Sequence, residues 1–173
     1  MNYEPIFTIS PHLLMQTERI SALRERILAD TVDVLWIPAL QMDARARNAH
    51  SSTAIEGNPL TLAQVQAVEE GRELPAVPDR ARREVVNYFA GLRFIEKNVG
   101  KKTIGHEDVL ELHRIVAGKV MDQGEAGRYR SIRVRVGSYV PPQPEDVSGL
   151  MFELLDWWNR RAAALSPVLS SAI

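Results

Sequence analysis

The sequence predicts a mainly α fold, a helical bundle interrupted by one short β-hairpin. Three observations predict it. Apolar residues recur at helical spacing along most of the 173 residues. The segments so marked are bounded by helix start and stop signals. Alternation of period two occurs in one stretch, Arg133-Val134-Arg135-Val136. The chain is 45% apolar and 25% charged, ordinary for a globular protein. A compact chain of this mass exposes roughly 8,500 Å² and buries about 70% of its extended surface, enough for a real core.

The elements follow in order. Ser10 and Pro11 open the first helix as N-cap and N1. Leu13, Ile20, Leu23, Ile27 and Leu28 form one stripe, to about Thr31. Pro38 separates a second helix, residues 39–57, stopped by Gly57-Asn58-Pro59 with glycine as the C′ residue. Thr61 and Gln64 form a capping box for a short third helix ending near Gly71. Pro75 and Pro78 mark a linker between two parts, residues 1–74 and 79–173. Asp79 caps a long helix with Val85, Phe89, Leu92 and Val99 on one face and Gly100 at its end. Residues 107–118 form another, with Val109, Leu112 and Val116 apolar. Two glycines between Asp122 and Tyr129, Gly124 and Gly127, break the periodicity. The hairpin, residues 131–140, turns at Gly137-Ser138 into Tyr139-Val140. Pro141, Pro142 and Pro144 end it. Val147, Met151, Leu154 and Trp158 begin a helix to about Arg161. Ser166-Pro167 starts a last helix of about two turns, too short to stand without packing. It carries no stop signal, so the expectation is a chain cut within a helix; the alternative is a short helix docked on the core.

Function classes narrow by exclusion. The net charge of −1 implies no bulk attraction to nucleic acid or anionic membrane. Without cysteine there is no disulfide scaffold, thiol nucleophile or thiolate-held metal. No apolar run approaches the ~18 residues of a membrane span. The opening MNYEPIFTIS lacks the regions of a signal peptide, so a cytoplasmic protein is expected. No P-loop, G-x-G-x-x-G, G-x-S-x-G or H-E-x-x-H is present.

Ser52 and Glu56, at i and i+4, share one helix face. Glu56 ends that helix, where a carboxylate opposes the dipole at about 0.3–1 kcal/mol. This suggests an outside cation, such as an arginine; the alternative, favoured by the residue chemistry alone, is an exposed glutamate in water. Arg133 and Arg135 lie on one side of their strand and Val134 and Val136 on the other. They read as a phosphate-binding face or, more simply, as a solvated outer face. His12, His50, His106 and His113 show no metal-ligand spacing. His113, within the apolar stretch 109–116, reads as a satisfied half-buried histidine. Trp157 and Trp158 read as core and rim. Arg80, Arg82 and Arg83, at a helix start, meet a nearby carboxylate or form a solvated patch. From these residues alone no catalytic constellation emerges.

In combination they resemble the Fic proteins. Ser52-Thr-Ala-Ile-Glu56-Gly57-Asn58 resembles the inhibitory motif S/T-x-x-x-E-G/N, with Arg47-Asn48-Ala49 and Ser51 as its lead-in. Asn87-Tyr88, Leu110-Glu111-Leu112-His113-Arg114, Gly127-Arg128-Tyr129-Arg130, Gly137 and Val140-Pro141-Pro142 resemble, in order, the family's core and flap region. Leu150-Met151, Leu154-Leu155, Trp157 and the Ser-Pro helix also fit. The resemblance runs from about Asp43 to the end.

It implies a Fic-type helical bundle with its C-terminal part missing. It also implies a reaction, transfer of AMP from ATP to a hydroxyl side chain of a target protein with release of pyrophosphate. ATP and Mg²⁺ are the implied substrate and cofactor, held by the family loop H-P-F-x-D-G-N-G-R. This chain lacks that loop. No catalytic residue and no metal ligand is therefore assigned, His113 is not the catalytic histidine, and neither ATP nor Mg²⁺ is expected to bind this chain tightly. By the same resemblance Glu56 is the inhibitory glutamate, paired with an arginine of the missing loop. Ser52 fixes the helix, and Gly57 lets the chain turn away closely. Arg133, Val134, Arg135, Val136, Gly137, Tyr139 and Val140 form the flap that holds the target by strand addition. The implied partners are a protein with a Ser, Thr or Tyr hydroxyl and a weakly bound second copy, with no membrane and no nucleic acid. The alternative is a natural non-catalytic module donating its inhibitory helix to another Fic protein.

Overall fold

The computed structural model describes residues 3–30, 35–74 and 76–173. Among them are seven α-helices, a 3₁₀ turn and one isolated antiparallel bridge. The first helix, α1 (Pro11–Ala29), is capped by Ser10, whose hydroxyl accepts the Leu13 N–H at 3.2 Å. Its expected end at Thr31 lies outside the described residues. The α1 stripe is amphipathic in pattern but not buried: Ile20, Leu23, Ile27 and Leu28 are all exposed, Ile27 at 72%. None of the main helix packings involves α1.

The second helix, α2 (Ile37–Ile55), begins earlier than its spacing predicts. Pro38 lies within its first turn rather than ahead of it, because an N-terminal helical N–H has no partner to lose. In α3 (Leu62–Glu69) both halves of the capping box form: Gln64 N–H to the Thr61 hydroxyl at 3.3 Å and Thr61 N–H to Gln64 Oε1 at 2.8 Å. Pro75 of the expected linker lies outside the described residues. In α4 (Asp79–Asn98), Asp79 is the first helical residue and Pro78 occupies the cap. Val99, past the helix end, is 79% exposed and not part of the apolar face.

The core joins these three helices. Ala46 and Ala49 of α2, Leu60, Val65 of α3, and Ala81, Val85 and Phe89 of α4 are buried together. Two alanines one turn apart let α2 approach α4 closely. Each fully buried Val, Leu or Phe contributes about 1.5–3 kcal/mol.

Helix α5 (His106–Ala117) packs on α4. Asn87 of α4 donates from one amide to the carbonyls of Val116 (3.0 Å) and Gly118 (2.9 Å), satisfying the C-terminal end of α5. Helix α6 (Pro144–Arg161) buries Leu155 and Trp157, so its inward face is displaced from the predicted Val147–Met151–Leu154–Trp158 stripe. Pro144 starts this helix rather than ending the hairpin. The paired tryptophans meet edge to face at 6.4 Å, Trp157 buried and Trp158 half-buried. Asn159 of α6 forms a reciprocal pair with the Ile104 backbone at 2.8 and 2.9 Å, tying α6 to the start of α5. After a 3₁₀ turn (Ala162–Ala164), α7 (Pro167–Ser170) makes a single turn instead of two.

The accessible surface is 13,205 Å², well above the ~8,500 Å² expected of a compact chain of this mass. No described helix is long and apolar enough to cross a membrane.

Candidate functional site

The end of α2 is closed by two backbone bonds. Asn58 N–H reaches back to the Thr53 carbonyl (3.0 Å) and Gly57 N–H to that of Ala54 (3.0 Å), with Gly57 at φ +86°. This is a Schellman closure, and the positive φ is why glycine stands there. A Cβ at Gly57 would meet nothing within 4 Å. The glycine therefore serves the conformation of the turn.

Glu56 is the C-cap residue itself and is exposed. No hydrogen bond or ion pair reaches its carboxylate among the described residues. Ser52, one turn back, lies 3.3 Å from the Tyr88 hydroxyl of α4. The residue that anchors this helix end is Asn58, which spacing alone did not single out. It is buried; its amide donates to the Ala81 carbonyl (2.9 Å) and to Glu84 (2.8 Å), and its oxygen accepts the Leu60 N–H (3.1 Å). Glu84 also accepts from Arg80 (3.2 Å), and Arg80 forks onto Asp122 at 2.5 and 3.2 Å. This ion pair holds the Asp122 carboxyl below its usual range. Of the two readings of Arg80, pairing with acids is the one realised, and a polar chain Asn58–Glu84–Arg80–Asp122 runs from the α2 terminus to the loop after α5.

The hairpin is reduced to its turn. Val136 and Tyr139 exchange both backbone bonds at 3.0 Å, and Gly137 takes φ +59° between them. Only the first central residue is left-handed, as a type II′ turn requires. All of residues 131–140 are exposed, so Arg133, Val134, Arg135, Val136, Gly137, Tyr139 and Val140 stand out from the bundle. Alternation marked a strand, but among the described residues no neighbouring strand extends the ladder. Arg135 donates to the Gly137 carbonyl at 2.9 Å. Arg130 closes the base, donating to the carbonyls of Ile132 (3.1 Å) and Pro142 across the loop. Sequence reasoning quoted Arg130 in a motif without this clamp. Beneath lies an open cleft of about 910 Å³, lined by Leu110, His113, Tyr129, Val134, Val147 and Met151 among others.

His113 is half-buried and satisfied, as expected: its Nδ1 accepts the Gly127 N–H at 3.1 Å. No three described His, Asp or Glu side chains converge as a metal set, and no step through Mg²⁺ or ATP is assigned to the described residues.

Comparison with known proteins places this geometry. The model of the Fic/DOC family matches residues 103–172. Protein adenylyltransferase fic-1 of Caenorhabditis briggsae is 36% identical over 129 residues, 72% of this chain and 25% of that protein. Protein adenylyltransferase Fic of Nematostella vectensis is 32% identical over 145 residues, 81% and 33% respectively. The chain thus spans a quarter to a third of the length of these relatives. Among solved structures, a Fic family protein from Desulfovibrio desulfuricans G20 superposes with a TM-score of 0.77 at 30% identity, over 92% of this chain and 48% of that one. Fic-1 of C. elegans gives 0.77 at 29% identity, over 92% and 47%. On helix order, motif order and these matches together, the chain belongs to the Fic/DOC family.

Proposed function

We propose that this chain is the regulatory and target-docking portion of a protein adenylyltransferase, lacking the catalytic loop. Residues 1–74 supply the inhibitory helix, and residues 79–173 supply the first part of the core with its flap. In the reaction, a target hydroxyl attacks the α-phosphorus of ATP. The new P–O bond forms as the bond to pyrophosphate breaks, and the hydroxyl proton passes to a base outside this chain. Phosphoryl-type transfer depends chiefly on positioning and charge neutralisation. A carboxylate offered to the cation that holds the γ-phosphate therefore suppresses it.

The observation that carries this reading is Glu56. It is exposed and unpaired among the described residues, at the C-terminal end of α2, where its charge opposes the dipole. Yet the helix end that presents it is built rigidly, by the Gly57 closure and the buried Asn58. Such an end suits an acceptor waiting for an arginine. The apolar surface left open along α1 and the large total area support membership of a larger folded unit. The exposed flap suits docking of an extended target segment, with a weak homodimer as a further contact. A cytoplasmic setting is part of the same proposal. In a protein of the relatives' full length carrying this segment, Glu56→Gly raises automodification with labelled ATP by about tenfold or more, the effect of removing one charged contact of ~1.4 kcal/mol. Unchanged labelling removes Glu56 from its role.

A further inference from the structure

We propose that His113 is a positioning residue for the flap, a latch that holds its leading loop on α5. The geometry begins with spacing. His106 and His113 are seven residues apart on α5, so they lie on one face two turns apart. Both present Nδ1 to the same short loop. His113 Nδ1 accepts the Gly127 N–H at 3.1 Å, and His106 Nδ1 shares a hydrogen bond with the Tyr129 hydroxyl at 2.8 Å. The His106 ring also stacks on Phe152 of α6, at 6.2 Å and 17°.

Between these points the loop is pressed onto the helix. Gly127 takes φ +82°, and a Cβ there would come within 2.8 Å of the Arg114 Cβ and 3.2 Å of the Leu110 carbonyl. Three residues further on, Arg130 clamps the two ends of the flap through Ile132 and Pro142. Thus α5 holds Gly127 and Tyr129, and Arg130 transmits that placement to residues 131–140. The latch requires an unprotonated Nδ1, so His113 is the Nε2–H tautomer. A ring that donates at Nδ1 would face a donor with a donor.

The significance for target docking rests on the adenylyltransferase reading; the latch itself does not, and its test uses neither ATP nor a target. Amide hydrogen exchange is followed in the 173-residue chain and in His113→Leu and His113→Asn variants. The asparagine Oδ1 lies close to the position of Nδ1 and retains an acceptor. Expected is an increase of about tenfold in exchange at the hydrogen-bonded amides of Gly127 and Arg128 in the leucine variant, with exchange in α4 unchanged, and near-recovery in the asparagine variant. Leucine exchange equal to that of the unaltered chain, faster exchange throughout, or asparagine behaving as leucine overturns the proposal. The imidazole ¹⁵N spectrum of the unaltered chain gives a second test that needs no variant. An unprotonated Nδ1 on His113 is expected, and a protonated one overturns the latch.

Discussion

Asn58 shows how much one side chain decides. It follows Gly57 in a stretch whose sequence signals stop, and nothing in the spacing distinguishes it from a turn residue. Folded, it is 7% exposed and bonds the α2 terminus to α4 through Ala81 and Glu84. Replacing it with alanine leaves the Leu60 N–H without its acceptor and removes the bonds to the Ala81 carbonyl and Glu84. Asn58→Ala should therefore cost about 1–3 kcal/mol of stability, read as the midpoint of urea unfolding. A variant within a few tenths of a kcal/mol of the unaltered chain would deny the anchor. Gly57 and Gly127 contrast at the same scale. Both take positive φ, but a Cβ at Gly57 enters open space while one at Gly127 meets α5. Sequence alone identifies both as breaks and cannot separate the reasons, since the second depends on a helix thirteen residues earlier.

At the scale of elements, start signals carried most of the information. Ser10 and the Thr61–Gln64 box form as local chemistry predicts, because each closes over three residues. At α5 the cap works from inside the helix: Asp108 accepts the Gly105 N–H at 2.8 Å and pairs with Lys101 at 2.5 Å. The backbone bond first, and Lys101 second, hold its carboxyl below the usual range. A depressed folded pKa means the contribution is complete above the unfolded value, about 4, and is lost as pH falls through the lower folded value. Asp108→Asn should therefore have a lower Tm than the unaltered chain at neutral pH. The gap should narrow as acid is added below about pH 4. A gap independent of pH would contradict the charge-assisted cap. Strand periodicity was the weaker guide. Four residues of the first arm and two of the second were legible, but a ladder needs a partner strand, and the turn at Gly137 carries a single bridge.

For the whole molecule, area is the telling quantity. The chain exposes 13,205 Å² and leaves Ile20, Leu23, Ile27 and Leu28 of α1 in solvent. Its well-packed part is the α2–α3–α4 cluster. With no catalytic loop and no metal set among the described residues, the 173-residue chain is expected to transfer no AMP to itself or to a model protein in Mg²⁺ and labelled ATP. Label incorporated above a no-enzyme control would overturn that expectation. Helix count and order and the caps at Ser10 and Thr61 were readable along the chain, because periodicity and capping act over one or two turns. Three further features required residues far apart in the chain to meet. Asn58 finds Ala81 and Glu84 across the core; Asn87 closes the end of α5; and His113 receives the Gly127 amide in the loop ahead of residues 131–140. Hydrogen bonds of this kind leave no periodic trace, so the helices were legible from local physics, while the placement of the α2 end and of the turn at 131–140 arises from packing between helices.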